Sequence, residues 1–434
     1  MNKYLGNKKT ILESIENFMN SKGIKDGTFC DIFTGTTNVA QYFKQREFNI
    51  ISNDYNQFCY SLQATYIYNN EFPQFKLLLD SPKFEAFNFI NEDMRFYKNS
   101  ISQRISKNII YDNDYINKYD YMLNMEPLIK VIIFLNNLEV TDLSSNDLFI
   151  YDYYTKWGSK SEFKSNRGTK GKRNYFNEYN GKKIGVILGK IKKWYLHDKL
   201  INEVEFHILL TALIEEVVLV ANVNGTFHDF NRKKLYPNAT VNMKLKPPII
   251  NICDKDDANY KIFKSDANIL YKKKEYKNID NIDNIDVLYI DPPYNFRQYS
   301  SYYHFLNFIG HYHEIKDLDE YGSSLKYVRG QNMDYNIKSD YCYKNKFKNA
   351  LKNLIKNVRS EHIIISYYDE NNHWNHGKDD ISNRGREIIY EIFEEIDDIV
   401  YYDKKPFEIN RQNYQSSSGH KKKIVKELLF YAKR

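Results

Sequence analysis

At 434 residues and 52.0 kDa the chain is too long for one small domain and suits two or three, with ample sequence to bury a large core. Its 42% hydrophobic and 27% charged residues, with only 17 Gly and 9 Pro, exclude a collagen-like or wholly disordered polymer. A net charge of +7 is mildly basic; it admits a polyanionic partner without establishing one.

Aromatic residues reach 16%, led by 39 Tyr and 27 Phe. They read first as part of a general Lys, Asn, Tyr and Ile bias, and second as a surface built to stack on bases. Cys30, Cys59, Cys253 and Cys342 lie far apart, without zinc-site or thioredoxin-like spacing, so a reducing compartment and no metal are expected. Residues 1–6 hold no apolar signal-peptide core, and the most apolar stretch, 208–223, is broken by Glu215 and Glu216. The expectation is a cytoplasmic protein with no membrane partner.

Residues 29–33 form a short apolar run ending at Gly35, which predicts a buried strand. Residues 38–44 carry Val39, Ala40 and Phe43 at helical spacing. Ile50 and Ile51 open a second strand that ends at Asn53-Asp54, and a helix is expected to follow through Leu62 and Tyr66. This strand–helix–strand–helix opening is that of a parallel, doubly wound α/β sheet. Residues 69–250 read as mostly helical, with apolar faces at 128–138 and 206–220. Between these faces a Lys-rich, Gly-containing stretch, 156–193, reads as a loop followed by a helix. Strand signals return at 260–263, 287–290, 363–366, 399–402 and 425–431, with helices predicted at 302–310, 347–358 and 386–396. Only a turn-like 415–419 separates the last two strands, so the sheet is expected to close on an antiparallel hairpin. The expected organisation is one sheet domain, 1–68 and 255–434, interrupted by an inserted helical domain, 69–254.

The sharpest chemical signal is Asp291-Pro292-Pro293-Tyr294, directly after the strand at 287–290. At the carboxyl end of a strand in an open α/β sheet, where ligands bind, it supplies a carboxylate, a rigid turn and an aromatic face. The prolines remove two backbone donors and fix φ, leaving carbonyl acceptors that suit an amino group on a planar ring. Residues 31–36, Asp-Ile-Phe-Thr-Gly-Thr, end the first strand in a small-residue turn that admits a ligand to the backbone. Asp54 is placed to bond ribose hydroxyls, or else to cap the following helix. Asp266, in Ser265-Asp266-Ala267, reads as an acceptor for an adenine amino group or as an ordinary cap. Residues 3–8, Lys-Tyr-Leu-Gly-Asn-Lys, read by themselves as a solvated tail.

Taken in order, Lys3-Tyr4-x-Gly6-x-Lys8, Asp31-x-Phe33-x-Gly35-Thr36, Asn53-Asp54, Ser265-Asp266-Ala267 and Asp291-Pro292-Pro293-Tyr294 resemble the α-group (D12 class) DNA adenine-N6 methyltransferases. These are the S-adenosyl-L-methionine (SAM) enzymes of restriction–modification systems and the Dam class. Residues 291–304, 363–368 and 173–176 resemble the FokI-type branch. The resemblance spans nearly the whole chain through short, scattered motifs, of which the last is highly specific. It departs at Thr37, where the family's second turn glycine stands. A β-branched residue disfavours φ > 0, so an αR or β conformation, or a slightly altered turn, is expected there.

The resemblance implies a Rossmann-like SAM-dependent methyltransferase sheet, mostly parallel with a C-terminal antiparallel hairpin, and a large, mainly helical insertion. It implies that Asp54 holds the SAM ribose and Asp266 its adenine, while Lys3, Tyr4, Gly6, Phe33 and Gly35 line the methionine and sulfonium region. Asp31 and Ala267 belong to the same cofactor set. Asp291 and the Pro292 carbonyl would accept from the target adenine's amino group, Pro293 would keep the motif rigid, and Tyr294 would stack on the ring. Two acceptors out of the ring plane draw the nitrogen toward sp³ and favour in-line attack on the methyl group. None of the four cysteines follows a proline, as the nucleophile of a cytosine-ring methylase would. A paired base must be flipped out to be reached.

Residues 156–193 hold 12 Lys and Arg against two Glu, a local +10 that leaves the remainder at −3. Lys164, Arg167, Lys170, Lys172 and Arg173 are expected phosphate contacts of an inserted target-recognition domain on double-stranded DNA. Arg297, Gln298 and Tyr299 are expected either to touch DNA or to anchor the next helix. Trp157, Tyr175 and Phe176 read first as local core and second as stacking side chains; His304 and His311 read as packing residues. A separate cognate restriction endonuclease and a monomer or weak dimer complete the expectation. The alternatives are an N4-cytosine or RNA methyltransferase on the same fold, or a catalytically inactive DNA-binding protein.

Overall fold

Among the residues that the computed structural model describes (5–85, 87, 91–165, 167–271, 285–368, 372–375, 382–412 and 424–434), eight strands pair into one sheet. They are β1 (Thr28–Asp31), β2 (Asn49–Asp54), β3 (Tyr260–Lys264), β4 (Ile285–Ile290), β5 (Ser360–Tyr368), β6 (Tyr401–Tyr402), β7 (Phe407–Gln412) and β8 (Ile424–Lys433). The spatial order is β6-β8-β5-β4-β1-β2-β3, with β7 also paired to β8. Strands β1 to β5 are parallel, and β8 runs antiparallel to β5, β6 and β7. Phe29 and Cys30 are wholly buried, which is why β1 reads as an unbroken apolar run. From β1 the chain winds outward through β2 and β3, and β4 then pairs on the other side of β1. Strand order therefore reverses between β1 and β4, and their carboxyl ends flank the crevice where open α/β sheets bind ligands.

The same unit carries α1 (Leu12–Ser21), α2 (Asn38–Lys44), α3 (Gln57–Gln63), α4 (Phe347–Asn357) and α5 (Arg384–Glu394). Leu351, Leu354 and Ile355 of α4 and Ile388 and Ile392 of α5 share a core with Leu288 and Ile290 of β4 and Ile363 and Ile365 of β5. The α3 helix passes into a π turn, Ala64–Tyr68, where the sequence predicts one continuous helix. The terminal hairpin is present, but its first arm is β7, a strand not expected; residues 415–419 lie outside the described ones.

The chain divides into two compact units. The sheet unit comprises Leu5–Gln63, Cys253–Ser300 and Ile337–Arg434, and a mainly helical unit comprises Ala64–Ile252 and Ser301–Asn336. In the helical unit, Glu203–Val220 is buried along most of its length. It starts in a capping box: the Asn202 side chain accepts from the Glu205 N–H at 2.9 Å, and Glu205 accepts from the Asn202 N–H at 3.0 Å. The stretch 156–193 contains more than a loop and a helix. Glu162–Lys164 pairs antiparallel with Lys170–Lys172, and Glu178–Lys192 follows. Among the described residues of its two arms only Phe163 is buried, packing 6.1 Å from Phe230. Two three-residue arms with one apolar side chain carry too little alternation to show in sequence. Helix Glu178–Lys192 seats closely on its neighbours through Gly181, where an added Cβ would lie 2.5 Å from Thr155 Cγ2.

The aromatic excess goes largely into cores. Tyr154 and Tyr175 are fully buried, and their hydroxyls donate to the Gly330 carbonyl at 2.7 Å and the Phe227 carbonyl at 2.9 Å. Phe176, His304 and His311 are also buried, as packing residues would be. Burial pushes the His304 imidazole down to about 3, so it stays neutral. No helix among the described residues is long and apolar enough to cross a membrane.

Candidate active site

Asp291 follows the last residue of β4 and is met there by three charged side chains. Lys8 Nζ lies 2.9 Å from Asp291 Oδ1 and 3.1 Å from Glu427 Oε1, and Arg411 Nε lies 2.9 Å from Glu427 Oε2. The Ser366 hydroxyl donates to Glu427 Oε1 at 3.0 Å. Lys8 and Glu427 are buried, so these pairs are shielded from water. Burial raises the Asp291 carboxyl, with Glu427 adding to the effect and Lys8 opposing it. Burial also opposes charge on Lys8, but Asp291 and Glu427 outweigh it and hold the ammonium above its ordinary value. Glu427 is held low because Lys8 and Arg411 overcome its burial. Tyr294 is buried beside this network, tilted against Tyr368 at 5.7 Å, and its carbonyl accepts from the His373 N–H at 2.9 Å.

The glycine turn after β1 is held from β2. Asp54 Oδ2 accepts from the Gly35 N–H at 3.0 Å, while Oδ1 accepts from the Asn56 N–H at 2.8 Å and the Asn56 side chain at 3.0 Å. Asp54 thus organises the entry to α3, as the capping alternative expects, and also holds the glycine turn. Asn53 ties three strand ends together. Its amide donates to the Ile32 and Ser265 carbonyls, both at 3.1 Å, and its Oδ1 accepts from the Ser265 N–H at 3.1 Å. Asp266 caps the short helix Ala267–Leu270, accepting from the Asn268 N–H at 2.8 Å. Phe33 meets Tyr341 edge-on at 4.9 Å, and Asn268 donates to the Tyr341 hydroxyl at 3.1 Å. Asp31 is 2% exposed, and its Oδ1 has no hydrogen-bond partner among the described residues. Burial and the nearby charge of Asp291 push it up to about 8.

The expectation for Thr37 is corrected. It adopts φ 63° and ψ 5°, the left-handed conformation, despite its β-branch. Such a residue costs roughly 1–2 kcal/mol. The Thr37 hydroxyl offsets part of this by donating to the Thr36 carbonyl at 2.7 Å and accepting from the Gln41 side chain at 2.7 Å.

Residues 5–8 are tied down, contrary to a solvated tail. Asn7 Oδ1 accepts from the Asn38 side chain at 3.1 Å, Lys8 is spent on Asp291, and Gly6 is left-handed at φ 81°. A Cβ at Gly6 would lie 3.7 Å from the Tyr299 hydroxyl and 4.0 Å from that of Tyr294. Lys3 and Tyr4 lie outside the described residues. Gln298 anchors the chain, exchanging two hydrogen bonds with the Ser339 backbone at 2.8 and 3.3 Å.

On the helical unit, Lys164, Arg167, Lys170 and Lys172 are exposed on or beside the hairpin. Arg173 is not among the exposed cations. It is 5% exposed and donates to the Val328 carbonyl at 3.1 Å and the Tyr153 and Tyr327 carbonyls at 3.4 Å, so it braces the fold from within. Trp157 is partly exposed, with the Lys156 ammonium 4.5 Å over its ring.

Three charged residues at the site are absent from the set expected to act there: Lys8, Arg411 and Glu427. Lys8 was within reach of sequence reading, because it ends the Lys-Tyr-x-Gly-x-Lys motif. Glu427 lies 419 residues from Lys8 and gives no local signal.

A mostly parallel α/β sheet with this edge defines the Rossmann-like methyltransferase class. The model of the D12 class N6 adenine-specific DNA methyltransferases matches residues 4–365, and the chain belongs to that family. It is 30% identical over 435 residues to modification methylase StsI of Streptococcus sanguinis, covering 100% of this chain and 52% of that protein. It is 27% identical over 371 residues to type II methyltransferase M.FokI of Planomicrobium okeanokoites, covering 85% and 44%. Modification methylase LlaI of Lactococcus lactis subsp. lactis is 24% identical over 437 residues, covering 99% and 55%. The chain thus spans about half the length of these curated relatives. No solved structure matches it at a significant level.

Proposed function

We propose that the chain methylates the N6 amino group of adenine in double-stranded DNA, with SAM as methyl donor, as the modification enzyme of a cytoplasmic restriction–modification system. The observation that carries this reading is Asp291 at the switch point of the sheet, bonded on one oxygen by a buried Lys8. The cofactor fit rests on Asp31, whose buried and unpartnered Oδ1 suits the α-ammonium of a bound amino acid. Asp54 would hold the ribose and Asp266 the adenine, with Gly6, Phe33, Gly35 and Ala267 around them and Lys3 and Tyr4 in the same set. Bound there, SAM supplies an electrophilic methyl group and departs as the thioether.

The protein's part is orientation. Asp291 and the Pro292 carbonyl accept the two N6–H bonds of a flipped adenine, so that the nitrogen lone pair turns out of the ring plane. Tyr294 stacks on the base, and Pro293 keeps the acceptors in place. As nitrogen bonds carbon it becomes cationic, and its surplus proton leaves through Asp291. The helical unit would read the target sequence. Lys164, Arg167, Lys170 and Lys172 would contact phosphates, and Arg297 and Tyr299 would lie beside the base. A cognate endonuclease would be a separate protein, and the enzyme would act as a monomer or weak dimer.

Expression in a methylation-free host, followed by long-read mapping, tests this directly. N6-methyladenine at one recurring sequence is the expected result. N4-methylcytosine alone would reject the base assignment. Calorimetric titration with SAM checks the cofactor, and absence of binding would sink the enzyme reading.

A further inference from the structure

We infer that Glu427, braced by Arg411, is a positioning residue for methyl transfer: it holds Lys8 so that the ammonium fixes one oxygen of Asp291 and leaves the other for the substrate amine. This rests on the adenine methyltransferase reading above. A lysine ammonium is a point charge on a flexible stem, and one partner alone does not fix its direction. Here Nζ is held between Asp291 Oδ1 at 2.9 Å and Glu427 Oε1 at 3.1 Å. Glu427 is fully buried and anchored in turn by Ser366 at 3.0 Å and Arg411 at 2.9 Å. Arg411 lies over the Tyr368 ring at 5.0 Å. These anchors stand on regular strands: Ser366 on β5, Arg411 on β7 and Glu427 on β8, opposite Tyr368.

Two buried charges with two partly buried partners are a poor way to gain stability, because desolvation offsets most of their attraction. Placed at the one carboxylate that must keep a fixed direction, they gain a purpose. The groups that face Asp291 are Lys8, Arg411, Glu427 and Asp31, with the Tyr289 and Tyr294 hydroxyls. Loss of the Glu427 charge removes a repulsion from Asp291 while its pair with Lys8 survives. Asp291 then becomes a weaker base held in a looser frame.

The test is Glu427→Gln, assayed with unmethylated genomic DNA alongside the wild type. SAM affinity, read by calorimetry, should be unchanged. kcat should fall by about 10- to 100-fold with little change in KM. The acid limb of the kcat profile should move down by about one pH unit. Glu427→Asp, which keeps the charge, should return that limb toward the wild-type position. A Glu427→Gln enzyme with wild-type kcat and acid limb would overturn the inference. If that variant fails to fold, Glu427→Gln with Arg411→Met removes the stranded cation and is read the same way. If the wild type transfers no methyl group, the functional reading fails separately. The positioning role is then read from the ¹³C-carboxyl titration of Asp291, assigned with Asp291→Asn: a midpoint that does not move in Glu427→Gln rejects it.

Discussion

In the sheet unit Lys8 is buried and Arg411 largely so, and both are spent on carboxylates, whereas Lys164, Arg167, Lys170 and Lys172 around the hairpin are exposed and form no ion pair among the described residues. The first arrangement is shielded from solvent, so its attraction sets direction and proton affinity over a few ångströms and responds little to salt. The second stands in solvent, where salt screens it, and any contribution it makes to binding a polyanion would vary with ionic strength. One chain thus holds the same two side-chain types in opposite settings: spent on carboxylates at the sheet edge, open to solvent at the hairpin.

The sharpest way to break this comparison is at Asp291. Asp291→Ala should lower methyl transfer by about 10³-fold while SAM binding stays near the wild-type value. Unchanged turnover would show that the edge does not orient the substrate. Lys8→Met comes next, since it strips Asp291 of its ammonium partner and leaves the buried Glu427 with Arg411 alone. It should destabilise the protein by about 3–5 kcal/mol in urea denaturation. A smaller loss would mean that water enters the network.

On the hairpin, replacing Lys164, Arg167, Lys170 and Lys172 together with Gln should leave stability within about 0.5 kcal/mol. The dependence of log affinity on log salt should flatten by about 0.9 for each phosphate no longer neutralised, equally for target and non-target DNA. Loss of sequence preference instead would place base reading on the hairpin. A last test concerns Asp31 and its response to pH. Its folded value of about 8 lies above the ordinary 3.8, so between those limits the folded chain holds more protons than the unfolded one. Its contribution to stability therefore falls as pH rises through that window. Asp31→Asn should narrow the gap between the denaturation midpoints at pH 5 and pH 8; an unchanged gap would show that Asp31 ionises normally.

What the sequence shows and hides follows the same division. The parallel sheet is legible because β1, β4 and the centre of β5 are buried and read as apolar runs, the first two closed by Gly35 and Asp291. The Asp-Pro-Pro-Tyr edge was legible because its chemistry lies in four consecutive residues. Strand β7, Phe-Glu-Ile-Asn-Arg-Gln, was not, because most of its side chains are polar and it pairs with β8 alone. Arg411 was hidden with it. Arg173 departs from the expected phosphate contact for a different reason: charge in a local tally carries no sign of whether carbonyls within the fold consume it. The 301–336 segment clusters with the helical unit although it follows directly on the Asp-Pro-Pro-Tyr strand, and no change of composition marks the passage.

Thr37 carries a consequence for recognising chains of this kind. Its left-handed turn persists with no glycine, and the hydroxyl clasped by Gln41 one helical turn later is a chemical substitute for the missing backbone freedom. A search that demands glycine at that position discards such chains, whereas one that accepts threonine with glutamine four residues on retains them. A change at Gln41 alone removes that hydrogen bond and leaves the strain of the left-handed threonine without its partner.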